Sequence, residues 1–141
     1  MQGSEGVSEV YGQGDATFKA AGGEEGVRAL VDAFYDLMES DTRYLPIWRL
    51  HRSDKHTMRD KLARFLCGWM GGPRLYQDKF GPISIPGTHA HLHVGIAERD
   101  LWLDCMNRAA MTRGYPARFQ DYLMSALAVP ADRVRQVNSV G

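Results

Sequence analysis

Apolar residues recur every three or four positions along most of the chain, which is the spacing of amphipathic helices. The clearest such segment begins at Glu24 and ends near Ser40-Asp41. Its apolar face comprises Val27, Leu30, Val31, Phe34, Tyr35 and Met38. Glu24 and Glu25 lie in the first turn, where the helix dipole stabilises negative charge. The pattern therefore predicts a long helix over residues 24–40.

The other helical segments are bounded by glycine, proline or a capping residue. They are expected over 16–21, over 42–51 as a tight turn and corner around Pro46, from Ser53 or Asp54 to about Met70, over 74–80, from about Ile96 to Thr112, and from Tyr115-Pro116 to Pro130. The polar tail after Pro130 is expected to be frayed. Only residues 83–85 hint at a strand, so the predicted fold class is all-α.

Composition narrows the class of protein. Lysine and arginine number 17, as do aspartate and glutamate, so no net charge attracts nucleic acid or an anionic membrane. No apolar run approaches the ~20 residues needed to span a bilayer. Residues 1–14 lack the basic start and apolar stretch of a secretory signal. Cys67 and Cys105 fall in apolar helical patterns, which predicts buried free thiols. We expect a cytoplasmic single domain.

The strongest chemical signal is a cluster of three histidines, His89, His91 and His93. Imidazole is the commonest metal ligand in proteins. On a strand all three would face one side, as a three-histidine metal site requires. On a helix His89 and His93 would share a face and His91 would point away. The all-α pattern disfavours the strand arrangement, but spacing alone leaves open whether one, two, three or none of them is a ligand.

The order of several motifs resembles the truncated haemoglobins, and specifically the second of that family's three groups. The matching stretches are Ala20–Gly23, Leu30–Tyr35, Arg59–Leu62, Phe65–Pro73, Tyr76, the histidine at 89 and Glu98–Met106. The resemblance implies a globin domain over 15–128, between a flexible N-terminal extension at 1–14 and a polar C-terminal tail at 129–141. It further implies a two-over-two helical sandwich around haem b.

The resemblance also assigns the proximal iron ligand. It falls on His89, which precedes the family tryptophan, Trp102, by the family's thirteen positions. The residue before the proximal histidine is often arginine in this group, whereas here it is Thr88. A propionate salt bridge is therefore missing or supplied elsewhere, for example by Arg74 or His91.

Further residues are implied around the cofactor. Lys61 and Tyr76 match positions that contact the haem propionates. Phe34 and Leu62 are expected to pack near the ring or the ligand. Four residues are implied on the distal side of the haem, where the ligand binds: Tyr35, Trp102, His51 and Met58. Tyr35 and Trp102 match hydrogen-bond donors to bound ligand.

The remaining two distal positions differ in character. His51 matches a corner position that is commonly tyrosine, histidine or phenylalanine in this group, and it is expected to be a third donor. Met58 stands where many haemoglobins carry a polar distal residue, so this wall of the pocket is expected to be apolar.

Several donors around a small dry pocket imply slow ligand release. A hydrogen bond contributes ~1 kcal/mol, or ~1.5–3 with charge character, so two slow release by roughly a hundredfold. The sequence predicts reversible binding of dioxygen and other diatomic ligands at a pentacoordinate-capable iron. The alternative is nitric-oxide dioxygenase or peroxidase-type chemistry on the same haem, served by an electron-donating reductase. A sensor or storage module and a haem-free helical protein are further rivals, and the sequence leaves open a monomer or a homodimer.

Overall fold

The computed structural model describes residues 11–50, 54–81 and 95–140, with side chains described through residue 132. All regular structure within these ranges is helical, which confirms the predicted all-α class. The helices are α1 (Ala16–Ala20), α2 (Gly23–Ser40), α3 (Leu45–Trp48), α4 (Lys55–Trp69), α5 (Leu75–Phe80), α6 (Ile96–Thr112) and α7 (Ala117–Val140). A 3₁₀ turn, Thr42–Tyr44, joins α2 to α3.

The long helices form two pairs. Helix α2 packs against α4 and also against α6, while α6 packs against α7. The short helix α5 packs against α4. The pairs α2–α4 and α6–α7 thus form the two layers of the predicted two-over-two sandwich. Fully buried side chains from all four helices meet between them, among them Val27, Leu30, Leu66, Met106 and Leu123.

Both ends of α4 follow from local chemistry. The Asp54 carboxylate accepts hydrogen bonds from the backbone N–H of Thr57 at 3.0 Å and from its hydroxyl at 2.7 Å, which is N-capping geometry. Of the two expected caps, Asp54 therefore fills the position. After the helix, Gly71 has φ +93°, and a Cβ there would clash with the carbonyl oxygen of Gly14. Only glycine lets the chain before α1 cross the end of α4 so closely.

The last helix differs from the sequence-based prediction. Instead of fraying after Pro130, the chain remains helical to Val140. A proline within a helix removes one backbone hydrogen bond but has a φ compatible with the helix. Beyond it, Arg99 Nη1 on α6 donates to Asp132 Oδ1 at 2.8 Å. This contact holds the turn after Pro130 against α6.

Several predictions fall outside the described residues. They concern the extension over residues 1–10, the hint of a strand at 83–85, and Ser53. Of the N-terminal extension, Tyr11 packs against Phe119 and Tyr122 of α7, each at 5.3 Å between ring centroids. None of the described helices is long and apolar enough to cross a membrane.

Candidate functional site

Two adjacent aromatic residues of α2 point into the interior because they belong to its apolar face. Phe34 is fully buried and Tyr35 is 5% exposed. The Phe34 ring centroid lies 5.0 Å from that of Tyr35 and 5.2 Å from that of Trp102 on α6. Both contacts are edge-to-face, a favourable aromatic geometry. The two side chains predicted as donors, Tyr35 and Trp102, therefore contact the same buried ring.

Helix α4 adds an apolar wall. Met58 and Leu62 are four residues apart and share one face of the helix. Met58 is buried and Leu62 is half-buried. Met58 belongs to the same apolar cluster as Phe34, and Leu62 packs against that cluster. The wall that these two residues form is apolar.

Burial controls the protonation of Tyr35. It raises the pKa of the phenol above its ordinary range, and the positive charge of Arg59 opposes this only in part. The phenol is therefore neutral at physiological pH and keeps its proton for donation. Trp102 is half-buried, and its indole N–H can only donate.

Both cysteines are buried free thiols, as predicted. Cys105 Sγ donates to the backbone carbonyl of Phe34 at 3.3 Å, which links α6 to α2. Burial raises the pKa of Cys105 to about 12 and that of Cys67 to about 11. Both thiols are therefore protonated at neutral pH and inert as nucleophiles.

Lys61 and Tyr76, predicted at the edge of the cofactor, both contact Phe80. The Tyr76 and Phe80 ring centroids are 4.9 Å apart, and Lys61 Nζ lies 5.4 Å from the Phe80 centroid. Lys61 is exposed and Tyr76 is half-buried. The structure therefore brings both residues together at a solvent-facing end of the α4–α5 pair.

An ionic cluster around Asp60 was missed in the sequence. Asp60 is 8% exposed, and its carboxylate accepts hydrogen bonds from three cations: Arg28 at 3.1 Å, Arg64 at 2.9 Å and Lys79 at 3.0 Å. Burial opposes ionisation, but these cations outweigh it and hold the pKa of the carboxyl well below its ordinary range. One carboxylate thereby joins α2, α4 and α5. The only local signal for it is the four-residue spacing of Asp60 and Arg64.

The predicted iron ligand, His89, lies outside the described residues. So do His51, which is the third predicted donor, and Thr88, His91 and His93, which lie near His89 in the sequence. Among the residues that the structure does describe, no group of three histidine, cysteine or acidic side chains could hold a metal ion.

The described side chains fit a flat apolar cofactor with carboxylates at one edge. Leu62 and Trp102 keep part of their apolar surface uncovered although they pack on the core. Lys79, which also contacts Phe80, is paired with Asp60. Lys61 has no carboxylate partner within the described ranges, so its ammonium is available to an anionic group.

The chain is similar to known globins over most of its length. Residues 16–136 match the Bacterial-like globin family. Group 2 truncated hemoglobin YjbI of Bacillus subtilis (strain 168) is 30% identical over 109 residues, which are 77% of this chain and 80% of that protein.

Solved structures agree with this match. The cold-adapted truncated hemoglobin of Pseudoalteromonas haloplanktis TAC125 has a TM-score of 0.79 at 27% identity and covers 84% of this chain and 95% of its own. The Group II 2-on-2 hemoglobin of Agrobacterium tumefaciens has a TM-score of 0.79 at 29% identity, with 84% and 92% covered. The truncated oxygen-avid haemoglobin of Bacillus subtilis has a TM-score of 0.74 at 28% identity, with 84% and 97% covered.

The family match begins with α1 and ends within α7, so it includes every described helix that builds the site. The apolar walls and the available lysine suit the cofactor of globins, which is haem with its iron, and haem iron binds diatomic gases. The chain belongs to the bacterial-like globin family and, within it, to the group II truncated haemoglobins.

Proposed function

We propose that this globin binds dioxygen reversibly and releases it slowly, because Tyr35 and Trp102 donate hydrogen bonds to the ligand. The observation that carries the proposal is the contact of both rings with buried Phe34, at 5.0 and 5.2 Å. Both rings therefore lie beside one buried residue of the apolar cluster that includes Met58 and against which Leu62 packs. Haem, when bound, supplies an iron with a coordination position open to a diatomic ligand.

The strength of retention follows from the chemistry of the donors. A neutral phenol and an indole N–H both donate, and hydrogen bonds are stronger where water is excluded. Two such bonds of ~1–3 kcal/mol slow release by roughly a hundredfold or more. We include His51 as a third donor on the strength of the family motif. A relative described as oxygen-avid supports the same conclusion.

We further propose how the chain holds the cofactor. His89 is the axial ligand, which its thirteen-residue spacing to Trp102 supports. Lys61 and Tyr76 bind the propionates, since Lys61 has no carboxylate partner in the part of the chain that the structure describes and both residues contact Phe80. Phe34 and Leu62 pack near the ring or the ligand. Met58 closes the distal side without adding a polar group.

The test is removal of each donor. Tyr35→Phe and Trp102→Phe should each speed dioxygen dissociation about tenfold, because one hydrogen bond near 1.4 kcal/mol is lost. Stopped-flow displacement of dioxygen by carbon monoxide measures the rate. Tyr122→Phe, which removes the same atom from α7, should leave the rate unchanged. Wild-type rates in both donor variants would contradict the retention mechanism.

Slow release favours a second candidate function, namely turnover of the retained ligand rather than delivery. Nitric-oxide dioxygenase and peroxidase-type chemistry both fit this description, and repeated turnover then requires an electron-donating reductase. Rapid mixing of the oxygenated protein with nitric oxide, and steady-state turnover of peroxide, separate these activities from simple binding. If the oxygenated protein keeps its bound dioxygen and its optical spectrum in both experiments, its function is ligand binding without turnover.

We place the protein in the cytoplasm. Two cysteines that stay as buried free thiols support a reducing compartment. Labelling of the denatured protein, taken directly from cells, with a thiol reagent should find both Cys67 and Cys105 reduced.

A further inference from the structure

Arg59, which lies on α4, makes a set of contacts with α2, and these contacts are not part of the roles proposed above. Its Nη1 donates to Asp32 Oδ1 at 2.9 Å and its Nη2 to Asp36 Oδ1 at 2.8 Å. A longer contact of 3.4 Å joins Nη1 to the Asp32 carbonyl. The two aspartates are one turn apart on α2, and Tyr35 belongs to the same turn. The guanidinium carbon lies 5.8 Å from the centre of the Tyr35 ring.

These ion pairs contribute little to stability. The Asp32 and Asp36 side chains are 57% and 70% exposed, and exposed ion pairs add little to the free energy of unfolding. Their effect is geometric. A planar guanidinium held by two carboxylates through two different nitrogens has its orientation restricted. That orientation places a cation beside the ring of Tyr35, where cation–π attraction acts.

We propose that Arg59 is a positioning residue for the distal pocket: it holds the Tyr35 ring in the orientation from which its hydroxyl binds the ligand. This inference rests on the proposed role of Tyr35. The two aspartates orient the guanidinium, and the guanidinium restrains the ring. Its positive charge also opposes the effect of burial on the phenol, whose pKa burial raises, so the hydroxyl is a stronger donor. Ligand retention then depends on a surface ion pair between α2 and α4.

The chain offers a matched control. Arg108 on α6 lies 5.6 Å from the ring centroid of another buried tyrosine, Tyr44, and donates to Asp41 at 2.8 Å. Both arginines lie beside a tyrosine ring and pair with an aspartate of a neighbouring segment, and Arg108 in addition donates to the Tyr44 hydroxyl at 3.0 Å. Tyr44 has no proposed contact with the ligand. Loss of Arg108 therefore reports general loosening of the fold.

The experiment is a double-mutant cycle on dioxygen dissociation in the haem-loaded protein. Arg59→Met keeps an unbranched stem and removes the charge, and it should speed release about threefold to tenfold. Arg59→Lys keeps the charge but not the planar fork, and should have a smaller effect. In a Tyr35→Phe background, Arg59→Met should change nothing further. Arg108→Met should leave the rate unchanged.

A spectroscopic measurement separates positioning from loss of structure. The infrared C–O stretching frequency of the ferrous carbonyl form depends on the donors near the ligand. It should shift in Arg59→Met, shift less in Arg59→Lys, and be the same in Tyr35→Phe with or without Arg59.

Each failure has its own result. If Tyr35→Phe leaves release unchanged, the proposed role of Tyr35 fails, and the role of Arg59 fails with it. If Tyr35→Phe speeds release but Arg59→Met does not, only the Arg59 inference is overturned. It is likewise overturned if Arg59→Met acts equally in the Tyr35→Phe background, or if Arg108→Met speeds release as much.

Discussion

At the scale of single residues, Phe34 connects the parts of the site. Its ring contacts Tyr35 and Trp102, and its carbonyl accepts a hydrogen bond from the Cys105 thiol. It therefore sets the relative positions of a side chain from α2 and a side chain from α6. The polar groups beside the Phe34 ring are a neutral phenol and an indole, both of which donate. Such a neighbourhood suits a ligand that accepts hydrogen bonds.

The proximal ligand is also a prediction at the residue scale. His89→Ala should abolish stoichiometric haem binding or change the axial-ligand spectrum, because this imidazole is the proposed ligand through which the chain binds the iron. Optical spectra of the ferric, ferrous and carbonyl forms test this. His91→Ala and His93→Ala are the matched controls and should retain haem. An unchanged carbonyl spectrum with full haem content in His89→Ala would assign the ligand elsewhere.

At the scale of elements, α5 depends on contacts outside itself. It has six residues, none of them buried, and so short a helix is not stable alone. Lys79 joins it to Asp60 on α4 at 3.0 Å. Because α5 also carries Tyr76, the proposed contact with a haem propionate depends on the Asp60 cluster.

This dependence predicts an acid-sensitive loss of stability. Asp60→Asn should lower the free energy of unfolding at pH 6 by about 2 kcal/mol, less than for a fully buried pair because the cations are partly exposed. The pKa of Asp60 is depressed from 3.8, so its contribution is complete above that pH and is lost as the pH falls further. Urea unfolding at pH 6 and pH 3 should show the difference between wild type and variant shrinking at the lower pH.

Asp100→Asn provides the control for this experiment. Asp100 is an exposed carboxylate that pairs with Arg99 at 3.0 Å, and its loss should change stability by less than about 1 kcal/mol at either pH. An Asp60→Asn effect of that same size, or one that does not shrink at pH 3, would show that the cluster does not stabilise α5 through the ionised carboxylate.

At the scale of the whole molecule, side chains from both helix pairs leave part of their surface uncovered among the described residues. Leu62, Phe65 and Trp102 pack on the core yet remain partly exposed. Apolar surface of this kind is covered more favourably by an apolar ring system than by water. Cofactor binding and fold stability are therefore coupled.

Haem removal should accordingly lower thermal stability. A cofactor bound only by the native state adds about 4 kcal/mol when its free concentration is a thousandfold above the dissociation constant. For a chain of this length that corresponds to roughly 14 °C in Tm. Calorimetry of the haem-loaded and haem-free protein measures the shift. Equal Tm values in the two forms would separate haem binding from folding.

The sequence by itself determined which helix faces are buried, because apolar spacing reports burial one helix at a time. On this basis it placed α2, α4 and α6, two buried thiols and a cap at Ser53 or Asp54, and the structure shows the cap at Asp54. Its motifs also indicated the family and hence haem. The roles of individual site residues remain predictions.

Tertiary structure decided which distant residues meet. The pairs Arg59–Asp32 and Lys79–Asp60 join residues 27 and 19 positions apart. No local pattern specifies such partners, because the sequence around a charged residue does not indicate which residue of opposite charge it will meet. The same holds for α7, where local preference ends the helix at Pro130 but a contact with Arg99 accompanies its continuation. Helix faces are a local property of the chain, whereas the contacts that orient Tyr35 and hold α5 exist only once those faces have packed.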